Sequence, residues 1–518
     1  MNKIKTFLKS KFFTSFIAGA LCNLAFAPIH FFPAAIISIS AFYFLLENEG
    51  QKKRIFWLGW FYGFGYFLAG VYWIAIALLV DASQFAWLIP FAVTLIPGVL
   101  AIYLALFALS YKALIKKFNF LATYQKAIIF AIFWLIFEIL RAFLFTGFPW
   151  NLLGYIWSFS DSLSQIANIF GIWGLSLFSV FICLIPTSFF KFENRKISIK
   201  KSNFSDKIFG TTLFFFFILS LFYGHYCIDE SKIMAEEDKK LRLVQGNIQQ
   251  DMKWDAQQKY RNFLKHVKLT NSQDLNTVKI VIWSETAVPY AIDGNPELLD
   301  KLKLATPSDG ALITGAVRVK YSSLDEVEGV WNSVFAVGDS GVIDYYDKHH
   351  LVPFGEYVPL QKYLPFVSKI TDGAIGFSEG EGAKTVKTSS LSFSPLLCYE
   401  VIFSDKIIDK KNRPDLLVNL TNDAWFGKSS GPYQHFDMAK MRAVEYGISL
   451  ARVANTGITA FFDPFGRVVK KIDLNEEGFI DVSFIKSLEP TIYSKYGFYP
   501  LILLILILLV FLIHKPKN

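Results

Sequence analysis

One thiol stands apart in this 518-residue chain. Cysteines occur at 22, 183, 227 and 398. Only Cys398 lies within 228–490, so no disulfide is open to it there. Such a thiol is either a small buried hydrophobe or a nucleophile. It follows the strand-like run S-L-S-F-S-P-L-L at 390–397 and precedes Tyr399 and Glu400. Two other segments place charges at similar strand ends. V-I-W-S-E-T-A-V-P at 281–289 sets Glu285 just after a buried run, and Y-D-K-H-H-L-V-P-F-G-E-Y-V-P at 346–359 carries Lys348 and Glu356.

These residue types suit acyl chemistry. A free thiol, with a pKa of about 8.5, is mostly protonated near neutrality, so its attack on an ester needs a nearby base or a depressed pKa. Glu285 can take that proton. The tetrahedral intermediate carries an oxyanion, which Lys348 and a backbone N–H next to Cys398 can stabilise. The lysine charge also favours an ionised Glu285. Taken singly, each residue has a plainer reading: a solvated loop carboxylate, a surface lysine, a core cysteine. Their joint occurrence at strand ends favours catalysis. His349, His350 and His435 show no H-x-x-x-H or C-x-x-C spacing, so no metal site is expected. No glycine-rich phosphate loop follows a strand, so no nucleotide cofactor is expected either.

Positioning these residues requires strands. Strand-like runs recur at 241–248, 279–283, 311–316, 330–337, 341–346, 390–397, 416–420 and 458–463, with helical patterns at 256–270, 296–305 and 432–446. Mixed elements of this kind predict a sheet-based α/β sandwich. Side chains at the ends of sheet strands are well placed to converge.

The rest of the chain reads differently. Hydrophobic residues make up 53% of the sequence, above the usual share for a soluble protein, and they concentrate outside the α/β region. Apolar runs near 12–28, 31–46, 55–80, 86–111, 125–146, 164–189, 208–227 and 498–513 predict about eight transmembrane helices. The expected organisation is therefore a membrane domain at 1–227 with about seven spans, an α/β domain at 228–490, and a C-terminal span with a short tail at 491–518. The net charge of +9 does not imply nucleic acid, because the lysines and arginines cluster in alternate short loops: before the first run, at 52–54, at 112–126, at 191–207 and after the last run. Cytoplasmic loops carry such clusters. Both termini are then cytoplasmic and the α/β domain lies outside. The segment 1–27 also has the layout of a secretory signal, with Ala25-Phe26-Ala27 as its site; cleavage there would leave the orientation unchanged. Glu138 and Arg141 share a helical face in the fifth run, either as a structural pair or as the lining of a head-group cavity.

The three segments resemble the motifs of the nitrilase, or carbon–nitrogen hydrolase, superfamily, whose members share a Glu–Lys–Cys triad on an αββα sandwich. The resemblance extends to essentially the whole chain, which is similar to the apolipoprotein N-acyltransferase family. Its most specific points are V-Q-G-N-I with Lys253-Trp254, K-H-H-L-V-P-F-G-E-Y-V-P, and C-Y-E. It implies that Glu285, Lys348 and Cys398 are catalytic, that Glu356 supports Lys348, that Tyr399 and Glu400 shape the nucleophile turn, and that Trp254 and Asn332 lie near substrate. It implies a phospholipid as acyl donor, a diacylglyceryl-modified apolipoprotein as acceptor, and the bacterial inner membrane as the setting, with the catalytic domain periplasmic. A monomer is expected. The apolar stretch 363–377, with Tyr363, Leu364, Phe366, Ile370 and Phe377, is expected to be a lid that dips into the membrane surface. The alternative is a membrane-tethered amidase or hydrolase with water as acceptor.

The charge pattern makes a direct prediction. Cysteines introduced at Ser323 and Ser198 should be labelled from opposite sides of intact membranes; labelling of both from the cytoplasm would contradict the topology.

Overall fold

The computed structural model describes residues 10–118, 121–193, 196–200, 204–322, 326–359, 361, 363 and 376–513. Ser323 and the lid residues Leu364, Phe366 and Ile370 lie outside the described residues. The chain divides into two compact units, one of 1–79, 83–228 and 491–518, the other of 80–82 and 229–490.

The first unit is helical. Its main helices are α1 (Lys11–Cys22), α2 (Pro33–Glu47), α3 (Lys52–Val71), α4 (Ile89–Lys117), α5 (Thr123–Phe143), α6 (Ala167–Phe189), α7 (Phe204–Cys227) and a C-terminal helix, Tyr499–Ile513. The stretches Ala82–Lys117, Ala167–Phe189 and Phe204–Lys232 are long and apolar enough to cross a membrane. Helices α1 and α3 meet through small residues: a Cβ on Gly19 would sit 2.0 Å from the Tyr62 carbonyl oxygen, and one on Gly65 would sit 2.1 Å from that of Phe16. Only glycine permits such an approach of two backbones. Glu138 and Arg141 are both buried. Glu138 Oε1 accepts from Leu153 N (2.8 Å) and Trp134 Nε1 (3.1 Å), while Arg141 donates to the carbonyls of Phe148 (2.5 Å) and Trp150 (2.6 Å). Their charges therefore satisfy the irregular backbone that follows α5.

The second unit is a two-sheet sandwich. Its strands are β1 (Ala235–Gln245), β2 (Val278–Trp283), β3 (Ala311–Tyr321), β4 (Val327–Gly338), β5 (Gly341–Asp347), β6 (Val386–Lys387), β7 (Ser392–Leu397), β8 (Leu416–Thr421), β9 (Leu450–Ala454), β10 (Thr459–Phe462), β11 (Val468–Ile472) and β12 (Gly478–Ile485). One sheet runs β12-β1-β2-β3-β4-β5 and the other β11-β10-β9-β8-β7-β6. β1, β2 and β3 are mutually parallel, as are β7, β8 and β9. Helices α8 (Lys259–Thr270), α9 (Pro296–Lys303) and α10 (Gly431–Tyr446) complete the layers.

The apolar runs explain this arrangement. In β2, Ile280 and Ile282 point into the core between the sheets, while Val281 and Trp283 point the other way, toward Phe263 of α8 and Leu298 and Leu302 of α9. A strand covered on both faces reads as a continuous hydrophobic run rather than an alternating one. The inter-sheet core takes Leu241, Leu243 and Ile313 from one sheet and Phe393, Leu397, Leu416, Val418 and Phe461 from the other. Four strands escape a hydrophobic reading. β6 has two residues, β9 carries the buried Arg452, and β11 and β12 carry exposed or half-buried charges.

The closed inter-sheet core predicts a large cavity cost. Phe461→Ala should destabilise this domain by about 3–5 kcal/mol, read as a lowered melting temperature of the full-length protein in detergent; an unchanged value would contradict this packing.

Candidate active site

Glu285, Lys348 and Cys398 each follow a strand end: β2 ends at Trp283, β5 at Asp347 and β7 at Leu397. Lys348 leaves β5 with its N–H donating to the Asn332 carbonyl on β4 (2.9 Å). The turn after β2 lies tight against β3, where Gly315 leaves room: a Cβ there would be 2.4 Å from Thr286 N and 2.8 Å from Glu285 Cα. Thr286 takes a φ of 46° and Cys398 a φ of 48°. Left-handed backbone at non-glycine residues costs about 1–3 kcal/mol and persists only where surrounding contacts enforce it.

Those contacts are present at Cys398. Glu400, two residues on, is buried and accepts from Leu397 N (2.7 Å), His349 N (2.9 Å), His350 N (3.1 Å) and Tyr346 Oη (2.8 Å). Burial works against its charge, but His349 and the other partners hold its carboxyl below the usual carboxylate range. Below the turn, the Cys398 carbonyl accepts from His435 Nε2 at 3.1 Å, and His435 Nδ1 lies 2.9 Å from Asp423 Oδ1. Arg452 meets Asp423 Oδ2 at 2.5 Å and Asn419 Oδ1 at 2.6 Å. Burial opposes the Asp423 charge, yet Arg452 and His435 hold its carboxyl down at about 2. A set of fully buried polar side chains thus fixes the carbonyl of a strained residue.

The charged groups form one connected array. Asn332 Nδ2 donates to Glu285 Oε1 (2.8 Å) and to Glu356 Oε1 (3.0 Å). Lys348 Nζ lies 2.9 Å from Glu356, whose Oε2 also accepts from Val352 N at 2.8 Å. Lys253 Nζ donates to the Glu285 carbonyl at 2.8 Å. All five side chains are buried. Burial raises the Glu285 pKa, and the Lys348 charge opposes that rise. Burial also works against the Lys348 charge, but Glu356 and Glu285 more than offset it and raise its pKa. Burial, aided by the Glu285 charge, pushes the Cys398 thiol up to about 12.

The sequence-predicted residues fall into clear groups. Glu285, Lys348, Glu356, Asn332 and Cys398 come together, and Glu400 braces the turn. Tyr399 packs beside Phe403 and His350, with ring centroids 5.3 and 5.9 Å away. Trp254 is half-buried, with the Lys259 ammonium 5.4 Å from its ring centre. Of the expected lid, Tyr363 is exposed and Phe377 anchors its N–H on the Glu356 carbonyl at 3.0 Å. Sequence reasoning gave no role to Lys253, Asp423, His435 or Arg452. Lys253 stood inside a quoted motif, and Asn422-Asp423 follow an apolar strand, which was the available signal.

A sandwich of this kind is accompanied by clear family matches. The carbon–nitrogen hydrolase model matches residues 240–489, and the model of the apolipoprotein N-acyltransferase N-terminal domain matches 18–185. The chain is 37% identical to the apolipoprotein N-acyltransferase of Rickettsia prowazekii (strain Madrid E), over 96% of each chain. It is 34% identical to that of Rhodopseudomonas palustris (strain ATCC BAA-98 / CGA009), over 96% of this chain and 94% of the relative. The second unit is thus a carbon–nitrogen hydrolase domain. The chain as a whole belongs to the apolipoprotein N-acyltransferase family.

A thiol held this high is neutral at rest. The alkylation rate of Cys398 by a small neutral reagent should keep climbing through mildly alkaline pH; levelling off near about 8.5, the midpoint of an ordinary thiol, would contradict the buried geometry.

Proposed function

We propose that this protein transfers an acyl chain from a membrane phospholipid to the N-terminal amine of a diacylglyceryl-modified cysteine of lipoproteins, completing their maturation, through a thioester on Cys398. The observation that carries this reading is the buried array of Glu285, Asn332, Glu356 and Lys348 beside a strained cysteine turn, in a chain of this family. Glu285 is the base, Lys348 and the backbone N–H after Cys398 stabilise the oxyanion, and Glu356 holds Lys348.

The reaction has two halves. The Cys398 S–H proton passes to Glu285 as sulfur bonds to the ester carbonyl carbon. The carbon–oxygen bond of the donor then breaks, and the leaving lysophospholipid oxygen takes that proton. In the second half the neutral acceptor amine adds to the thioester and gives a proton to Glu285. The carbon–sulfur bond breaks, and the proton returns to sulfur. A thioester is more reactive toward amines than the original oxygen ester, so one hard step becomes two easier ones. Trp254 and Tyr399 are assigned to the substrate side of the site. The apolar stretch 363–377 is the candidate for handling the acyl chain.

The setting follows from the substrate. Burial is worth about 0.8 kcal/mol per CH₂, so a long acyl chain stays in the bilayer and the enzyme must meet it there. The eight main apolar helices of the first unit are taken as spans, with the basic loops and both termini cytoplasmic and 228–490 periplasmic. Among the described residues, no feature of the site favours water as the acceptor.

Incubation with labelled phospholipid alone should leave a hydroxylamine-sensitive acyl adduct that digestion and mass spectrometry place on Cys398, and a lipopeptide amine should then discharge it. Glu285→Gln should slow adduct formation about 10²- to 10⁴-fold. An adduct on another residue, or release of free fatty acid without amide formation, would overturn the assignment.

A further inference from the structure

Lys253 is a buried charge beside Glu285 that this reaction leaves without a role. It ends the short helix Gln250–Lys253 and is 4% exposed. Its loop is held from below: Asn455 Oδ1 accepts from Ile248 N (2.9 Å), Asn455 Nδ2 donates to Ile248 O (2.7 Å), and Asn422 Nδ2 donates to Gln250 Oε1 (2.6 Å). The ammonium is thereby delivered to the Glu285 carbonyl at 2.8 Å. The small cavity it faces is lined also by Ile248, Asn262, His266, Ser284, Thr286 and Asn455, none of them an anion. The negative charges acting on Lys253 come from Glu285 and from Cys398 when ionised.

Charge balance gives that placement a meaning. Glu285 and Glu356 share the two-donor amide of Asn332, and Lys348 is paired with Glu356. Two buried carboxylates and one ammonium leave one negative charge in excess, and such a site would bind a proton on Glu285. A second ammonium removes the excess. We propose that Lys253 is a positioning residue that supplies this second positive charge, keeping Glu285 ionised and pinning the carbonyl of its strained turn. The inference rests on the reading of Glu285 as the base.

Burial lowers the Lys253 pKa to about 8, so the side chain is charged across the neutral and acidic range. The other groups around it are Lys348 and Glu356, which act on Glu285, the Cys398 thiol, and His266 and Lys265 on α8. His266 is held by burial down at about 4 and is neutral there. Removing the Lys253 charge must raise the Glu285 pKa, so the acid limb of the reaction moves to higher pH.

The test uses the full-length protein in detergent and single-turnover thioester formation from phospholipid alone, followed against pH. Lys253→Gln keeps a donor for the Glu285 carbonyl but removes the charge. It should shift the acid limb upward by about one pH unit or more and slow the reaction about tenfold at pH values below the wild-type limb, with a smaller loss near neutrality. Lys253→Arg should restore the acid limb to its wild-type position. Lys253→Met gives the same reading as the glutamine variant should that one not accumulate. An unshifted acid limb in the uncharged variants, whatever their rate, overturns the proposal. Glu285→Gln separates the two claims: if it reacts at the wild-type rate, the base assignment itself fails; if it is slow while Lys253→Gln is normal, only the role of Lys253 falls.

Discussion

Buried charges must balance. An ion taken out of water carries a desolvation penalty of several kcal/mol even after relaxation, and an uncompensated one changes its protonation state instead. The α/β domain buries Glu285, Glu356, Lys348 and Lys253 in one connected array beside a thiol. With both carboxyl groups ionised, two carboxylates, two ammoniums and a neutral thiol sum to zero. The surrounding structure keeps that sum in place. Asn332 spends its two amide hydrogens on two carboxylates, Val352 donates to Glu356, and Gly315 lets the Glu285 turn lie against β3.

The same rule governs the support of Cys398. Asp423, His435 and Arg452 form a second buried set, and Glu400 a third, fed by three backbone donors, a tyrosine hydroxyl and His349. Both sets converge on Cys398, one through its carbonyl and the other through the N–H of Leu397. This is how a non-glycine residue is held at a φ of 48°. Glu285 and Lys348 act electrostatically on the sulfur there, and burial keeps the thiol neutral. A thiol that burial holds neutral, next to a carboxyl group whose charge burial opposes and Lys348 favours, keeps the proton on sulfur at rest.

The proposed triad was legible in the sequence because each member follows a strand-like run, apolar for Glu285 and Cys398 and mixed for Lys348. Glu285 follows V-K-I-V-I-W, and Cys398 follows S-F-S-P-L-L. The long strands β1 to β5, β7 and β8 and helices α8 to α10 were legible for the same reason, as was the concentration of apolar helices before 228. What escaped were residues whose roles depend on tertiary neighbours. Arg452 reads as a break in a strand, yet it is fully buried because Asp423 and Asn419 meet it. Lys253 stood in the resemblance beside Trp254 without a role, and only its hydrogen bond to the Glu285 carbonyl gives it a place in the charge count. The pairing of Glu356 and Glu285 through Asn332 joins β4 to turns far apart in sequence, which no local pattern encodes.

The claim at the centre of this account is that the resting site holds a neutral thiol among balanced charges. The most direct measurement is the infrared S–H stretching band of Cys398 in the full-length protein near neutral pH, isolated as the difference between wild type and Cys398→Ser. The account predicts a distinct S–H band that is lost in the serine variant. A difference spectrum with no S–H band, accompanied by ultraviolet absorption of a thiolate, would place the proton elsewhere and contradict it.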